Sequence, residues 1–216
     1  MSSVALARIY QQSFESHPHC TLAVTNGTFN ALGDVVAQSV QLLTNTQRKE
    51  YHQSMYDPAR TIRFFIFGFG MGPLIGRWNT FLERRFPLRI GRPSKLTNSS
   101  RASIVGLTKR VSSDQLLMAP TGLAIFLASM GLMEGRDAQH IRGKFQDLYG
   151  QAIIANWQVW PLAQLINFRF MPLAYRVPFQ SICGVFWTLY LSSLNSVENA
   201  QQDRRDSIKN SSVSAR

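Results

Sequence analysis

The amino-acid sequence predicts an all-α protein, a polytopic membrane helix bundle with four spans and a fifth apolar helix that either spans or lies at the interface. Charged residues make up only 16% of the 216 residues, against about 25% in an average soluble domain. The charges are also clustered, which leaves charge-free windows at 115–133, 148–168 and 177–197. Each window is close to the roughly 20 residues that a helix needs to cross a bilayer. The mean hydropathy of -0.08 is low for a multi-span protein, so the prediction depends on where the charges lie rather than on how many there are.

The chain divides by composition into one bundle and two flanking segments. Its length fits a single domain. Residues 1–19 form an N-terminal segment, residues 20–196 the membrane helix bundle, and residues 197–216 a polar, Ser-rich tail. We expect the tail to be disordered because it has too little apolar surface to bury.

Polar side chains recur every four residues along the first predicted helix, which begins near Cys20 and runs to about Leu43. That spacing places them on one face of the helix. Small residues recur at the same interval beside them, a pattern that lets helix backbones approach closely in lipid. The polar set is Asn26, Asn30, Asp34 and Gln38, and the small set is Ala23, Gly27 and Ala31.

The second predicted helix starts at a cap and carries a row of glycines. Asp57 suits the N-cap and Pro58 the first turn, so the helix should begin there. Glycine costs about 1 kcal/mol relative to alanine inside a helix, and three glycines at four-residue steps indicate close contact with a neighbouring helix. The glycines are Gly68, Gly72 and Gly76, and the other notable residues are Arg60, Arg63 and Pro73.

A positively charged segment at 83–110 is predicted to be a loop. It holds eight basic residues and one acidic residue and supplies most of the net charge of +11. Nucleic-acid binding is disfavoured because no aromatic residue lies between positions 87 and 110 to stack on a base. We expect instead a positive-inside orientation signal or a contact with anionic lipid. The next helix should run from about Asp114 to Met133, with Asp114, Gln115 and Glu134 at its ends.

Neither catalysis nor a cofactor is expected. The chain has no nucleophile motif and no phosphate-binding glycine loop. His17, His19 and Cys20 form one compact run without a second group at ligand spacing, so no metal site is predicted. Cys20 and Cys183 both lie in apolar sequence, which favours small buried residues over redox or metal chemistry.

Several short motifs resemble one family of organelle membrane proteins. The most specific lies in the last third, where Trp160-Pro161, Gln164, Asn167-Phe168, Pro172, Arg176 and Trp187 keep a characteristic spacing. Earlier blocks are Gly33-Asp34 with Gln38, Asp57 with Arg60 and Arg63 before Gly72-Pro73 and Trp78, and Asp114-Gln115 with Ala119-Pro120 before 131–135. These residues resemble the Mpv/PMP family, named for the twenty-two-kilodalton peroxisomal membrane protein and its mitochondrial relatives. The resemblance covers roughly residues 20–193.

The resemblance implies a small protein with four spans in the mitochondrial inner membrane or, as the alternative, in the peroxisomal membrane. It also implies a channel or transporter-like component, or a role in metabolite and membrane homeostasis and in the stress response. The basic segment at 83–110 and the polar tail depart from the family pattern, and they leave the choice of organelle open.

Two hypotheses remain for the polar residues of the bundle. In the first, they line an aqueous pore with Asp34 as its charge, because a carboxylate at membrane depth needs a partner or water. In the second, they hydrogen-bond across helices and hold a non-conducting scaffold together. A homo-oligomer or a larger membrane complex fits either hypothesis, and Arg176 is expected to pair with an acidic residue such as Glu134. The candidate polar residues are Asn26, Asn30, Asp34, Gln38, Arg60, Arg63, Asp114, Gln115 and Glu134, with Gln164 and Asn167 as further partners.

Overall fold

The computed structural model describes residues 3–47, 56–88 and 98–188, and these residues form helices and no strand. The all-α fold class is therefore confirmed. Residues 173–188 form the last helix, α7, up to the end of the described chain, and the predicted tail at 197–216 lies outside the described residues. The other helices are α1 (Ser3–Ser16), α2 (Pro18–Gln47), α3 (Pro58–Arg85), α4 (Asn98–Ser113), α5 (Ala119–Met133) and α6 (Ala138–Phe170), and a π-helical turn, Asp114–Met118, joins α4 to α5.

The N-terminal helix α1 packs on the start of α7. The Tyr10 hydroxyl donates a hydrogen bond to the carbonyl oxygen of Ala174 at 2.7 Å, and the ring centroids of Tyr10 and Tyr175 are 5.4 Å apart. Burial raises the pKa of Tyr10 to about 12, with a smaller contribution from Tyr175. The raised pKa keeps the hydroxyl protonated, and so able to donate to α7, further into the alkaline range than for a free tyrosine.

The second and third helices form the tightest pair in the structure. A Cβ atom added at Gly72 would collide with the backbone of Leu22, and one added at Gly68 would lie 2.7 Å from the carbonyl oxygen of Asn26. A Cβ atom added at Gly27 of α2 would lie 3.0 Å from the carbonyl oxygen of Phe65. The expected contact between small-residue rows of neighbouring helices is thus confirmed, and it brings the two backbones together as in membrane helix pairs.

The start of α3 follows the predicted cap. Asp57 has extended backbone angles, and its side chain accepts a hydrogen bond from the backbone N–H of Arg60 at 3.1 Å. Pro58 occupies the first turn, where its missing N–H has no cost. Pro73 lies inside the helix.

The basic segment at 83–110 is mostly helical, which corrects the predicted loop. Residues 83–85 end α3 and residues 98–110 belong to α4, while 89–97 lie outside the described residues. Arginine and lysine are good helix formers, and Ile104 and Val105 give α4 an exposed apolar side. The number of charges therefore wrongly indicated a loop at residues 98–110, where the chain forms a helix.

Asp114 was predicted to lie at a helix end. It is instead a buried residue within a continuous run of helix. The π-helical turn explains its position. The backbone N–H of Ala119 bonds to the carbonyl oxygen of Asp114, five residues back. The carbonyl oxygen of Gln115 would need the N–H of residue 120, which is proline, so it accepts instead from the indole of Trp157 at 3.0 Å.

One helix of the described chain is long and apolar enough to cross a membrane by length and composition, namely Ile104–Met133. Its most apolar window has a mean hydropathy of 1.9, and only 11% of that window is buried inside the protein. Gly135 follows the end of this helix, and its φ of 69° allows the backbone N–H of Arg136 to reach the carbonyl oxygen of Gly131 at 3.0 Å. The predicted number of spans, four or five, stays a prediction.

The described interior is more polar than the surface around it. Among the buried residues of the described chain, eleven are polar or charged and eight are hydrophobic, while large apolar side chains such as Leu116, Leu132, Ile154 and Phe170 are more than half exposed. Water would disfavour such a surface, whereas lipid does not. The buried polar residues are Asn26, Asp34, Gln38, Asn79, Arg110, Asp114, Gln115, Gln164, Asn167, Arg176 and Ser181.

Gly72→Ala is expected to destabilise the protein by about 1–3 kcal/mol, because the added methyl group overlaps the backbone of α2. Gly70→Ala is the matched control: no atom lies within 4 Å of its added Cβ, so alanine should be neutral or stabilising by up to about 1 kcal/mol. Thermal unfolding of both variants in detergent measures the difference. Equal melting temperatures for the two variants would contradict the tight α2–α3 contact.

Candidate functional site

An ion pair between a buried carboxylate and a partly exposed arginine joins α2 to α3. The carboxylate of Asp34 lies 2.7 Å from Nε of Arg60, and the Asp34 side chain is fully inaccessible. The Thr61 hydroxyl and Nε2 of Gln38 each donate to its other oxygen at 2.7 Å. Removing a carboxylate from water is costly, and these partners offset part of that cost.

Gln38 extends this cluster to the start of α3. Its Oε1 accepts from the backbone N–H of Asp57 at 2.7 Å, and its Nε2 donates to the carbonyl oxygen of Asp57 at 3.0 Å. The carboxylate of Asp57 pairs with Arg63 at 3.1 Å on a more exposed side. Arg60 therefore neutralises Asp34, whereas Arg63 holds the helix cap.

The polar face of α2 continues toward α7. Nδ2 of Asn26 donates to the carbonyl oxygen of Gly68 at 2.7 Å, and its Oδ1 accepts from the Ser181 hydroxyl at 2.7 Å. Nδ2 of Asn30 donates to the carbonyl oxygen of Asn26 at 2.8 Å. The predicted row of Asn26, Asn30, Asp34 and Gln38 thus lies between α2, α3 and α7, with its hydrogen bonds made to protein.

A second buried carboxylate, Asp114, lies where α3, the π-helical turn and α6 meet. Its Oδ1 accepts from the indole of Trp78 at 3.0 Å. Its Oδ2 accepts from Nε2 of Gln164 at 2.7 Å and from Nε2 of Gln115 at 3.0 Å. Nδ2 of Asn167 donates in turn to Oε1 of Gln164 at 3.0 Å. We call these five residues the Asp114 network.

The two carboxylates differ in what surrounds their charge. Asp34 has a guanidinium at ion-pair distance, whereas the donors to Asp114 are neutral and no basic side chain of the described residues pairs with it. In addition, Oε1 of Gln115 and Oδ1 of Asn167 are buried without a hydrogen-bond partner in the protein. Oδ1 of Asp34 also has no hydrogen bond, but it lies against the Arg60 guanidinium. Spare acceptor capacity of this kind favours water or a cation near Asp114.

Arg176 pairs with Glu83 rather than with Glu134, which corrects the expected partner. Its Nη1 lies 3.0 Å from the Glu83 carboxylate, and its guanidinium lies over the ring of Phe168 at 5.7 Å. Arg110, also buried, donates to the carbonyl oxygen of Phe86 at 2.8 Å. These contacts fasten the start of α7 to α3 and α6, and α4 to the end of α3. They also withdraw Arg110 from the predicted lipid-facing set.

The other predicted site residues lie at helix ends or along α6 and α7. Glu134 caps α5 and lies 3.8 Å from Arg136 at the surface. The carbonyl oxygen of Pro120 accepts from the Tyr149 hydroxyl at 3.2 Å. Trp160 and Pro161 lie inside α6 and Trp187 lies in α7, while Pro172 separates these two helices.

Sequence reasoning missed several members of these networks. Thr61, Ser181 and Trp157 have no distinctive spacing, because their partners lie far away in the chain. Glu83 was recognisable as the single acidic residue of the basic segment. In the described chain no group of three potential metal ligands is present, and Cys20 is exposed, so its predicted burial was wrong.

The comparisons with known proteins decide the family. A family model described as Mpv17 / PMP22 family matches residues 131–192, which contain the motif from Trp160 to Trp187. Protein SYM1 of Eremothecium gossypii is 36% identical over 194 residues, which cover 89% of this chain and 97% of that protein. The chain belongs to the Mpv17/PMP22 family.

Other Mpv17/PMP22 relatives match over similar lengths. Protein SYM1 of Saccharomyces cerevisiae is 33% identical, with 88% of this chain and 90% of that protein covered. Peroxisomal membrane protein 2 of Bos taurus is 32% identical, with 86% and 87% covered. No solved structure matches the chain. The predicted family and a membrane location are therefore confirmed, with the mitochondrial inner membrane as the expected membrane and the peroxisomal membrane as the alternative.

In this Mpv17/PMP22 protein, Arg60→Met is expected to destabilise the fold by about 3 kcal/mol, because it leaves the Asp34 carboxylate buried without a cation. Adding Asp34→Asn should recover about 1 kcal/mol or more, since the uncompensated charge is then gone. Arg63→Met is the control and should cost about 1 kcal/mol or less, because its partner Asp57 is half exposed. Thermal unfolding in detergent would contradict this account if the double variant were less stable than Arg60→Met.

Proposed function

We propose that this Mpv17/PMP22 protein is a pore-forming or transporter-like component of its organelle membrane, with the Asp114 network as the charge-sensitive part of the path. The proposal is supported above all by the Asp114 carboxylate, which is buried, accepts only from neutral donors and lies among polar atoms without a protein partner. An ionisable residue inside a membrane bundle is a functional candidate by default, because its burial is costly.

Asp34 is the less suitable pore charge, although its spacing in the sequence first indicated that role. Its two oxygens are occupied by Arg60, Thr61 and Gln38, and its side chain is closed off from the surface. A carboxylate that is already neutralised contributes little to selecting ions. We therefore propose that Asp34 holds α2 against α3 and that Asp114 interacts with the transported species.

A second candidate function is a non-conducting scaffold in the same membrane. The close α2–α3 contact and the Asp34 cluster favour this scaffold function. Both make the helix pair rigid, and neither requires a path for ions through it. In this alternative the protein organises lipids or forms a membrane complex, either as a homo-oligomer or together with other proteins. We propose no catalytic role in either case.

Asp114→Asn is expected to lower the cation preference of the channel in planar bilayers, because it removes a charge near the path. The measurement is the reversal potential of the purified protein in a salt gradient. Asp34→Asn and Glu134→Gln are the controls: each also removes one negative charge, but the first charge is already paired and the second lies at a helix end.

Three outcomes separate the two functions. A shift in Asp114→Asn alone supports the proposed path. A shift in Asp34→Asn without one in Asp114→Asn would contradict the assignment of the two carboxylates. Wild-type protein that remains folded in vesicles but never conducts would favour the scaffold.

A further inference from the structure

A groove of about 690 Å³ lies at one end of the bundle, between α1, the start of α2, the end of α3 and the start of α7. This volume falls within the range of about 300–1,000 Å³ that is typical of small-molecule sites. It is separate from both buried carboxylates, since neither Asp34 nor Asp114 lines it.

The charged part of the groove is positive. Arg77, Arg84 and Arg85 line it together with His19, and its lining contains no carboxylate. All three arginines are exposed, and no carboxylate of the described residues pairs with them. Three arginines that line one groove without a counter-charge favour an anionic occupant, above all a phosphate.

Apart from Thr80, the remaining lining is apolar, and this distinguishes the kinds of anion. Its large apolar side chains are Phe14, Leu22, Phe81 and Leu173. Phe81 is half exposed. A free phosphate or a small soluble metabolite would leave this surface uncovered, whereas an acyl chain would cover it.

The position of Arg77 along α3 points the same way. Arg77 lies eight residues before Arg85, which is the last residue of α3. This separation corresponds to about 12 Å along the helix axis. An arginine that far from the helix end in a membrane protein must turn toward the interface or meet an anion. A lipid phosphate held between Arg77 and Arg84 would meet this need, because both lie on one face of α3.

We propose that this groove binds one anionic phospholipid, with its phosphate against Arg77, Arg84 and Arg85 and an acyl chain on Phe14 and Phe81. The site differs from the lipid contact that the basic segment 83–110 predicted. It adds α1, α2 and Arg77, and it leaves out Arg110, which is buried against Phe86. It also does not depend on whether the protein conducts.

The test is native mass spectrometry of the full chain in neutral detergent, with phosphatidylglycerol or phosphatidylcholine of identical acyl chains added. Wild-type protein should retain one phosphatidylglycerol in preference to phosphatidylcholine. In the variant Arg77→Gln/Arg84→Gln/Arg85→Gln, retention should fall roughly fivefold for each arginine removed. The matched control is Arg136→Gln/Arg142→Gln/Arg169→Gln, which removes the same charge from exposed positions outside the groove and should retain the lipid.

Two further arms distinguish a lipid from a free anion. Phe81→Ser changes no charge, and it should weaken retention of phosphatidylglycerol if an acyl chain lies on that ring. Excess inorganic phosphate or glycerol phosphate should fail to displace the lipid. Equal retention of the two lipids, equal loss in the two arginine variants, or full displacement by free phosphate would each overturn the proposal.

Discussion

The absence of water from the interior of a helix bundle in lipid is the constraint on which this structure depends. Every buried backbone polar group must find its partner within the protein, and buried side chains gain from the same partners. The glycines of α3 make that arrangement geometrically feasible. Because Gly68 has no side chain, the amide of Asn26 reaches its carbonyl oxygen at 2.7 Å. The same close approach places the Arg60 guanidinium 2.7 Å from the Asp34 carboxylate. Close packing and polar satisfaction are therefore one requirement in the α2–α3 pair.

The two buried carboxylates show how the same constraint separates stability from function. Asp34 lies in a closed cluster with a cation, and its charge is used up in joining two helices. Asp114 lies in an open network of amides and an indole, with polar atoms left over. The π-helical turn before Pro120 gives that region a wider backbone, and Trp157 satisfies the carbonyl group that the proline leaves without a donor. Departures from regular helix of this type recur at functional sites.

Periodic rows of residues on one helix face could be predicted from the sequence, whereas most pairings between helices could not. The four-residue steps of the α2 polar row and the α3 glycines place each set on one face, and the structure has them there. The position of Asp114 within a continuous helix could not be predicted, because a polar pair after a basic segment looks the same whether it ends a helix or lies within one. The Arg176–Glu83 pair spans 93 positions and depends on the tertiary arrangement. The number of basic residues wrongly indicated a loop at 98–110, because basic residues are compatible with a helix when their charged ends reach lipid head groups or water.

The most direct test of a polar interior within an apolar, lipid-facing exterior is the accessibility of spin labels in reconstituted vesicles. With Cys20 and Cys183 replaced by serine, single labels at Leu116→Cys and Ile154→Cys would report on the exposed apolar surface, and a label at Ala138→Cys on the exposed start of α6. The structure predicts that the first two labels collide more with oxygen than with a water-soluble nickel chelate, and that the third shows the reverse. Higher nickel accessibility at Leu116 and Ile154 would mean that this apolar surface faces water, and it would contradict the account.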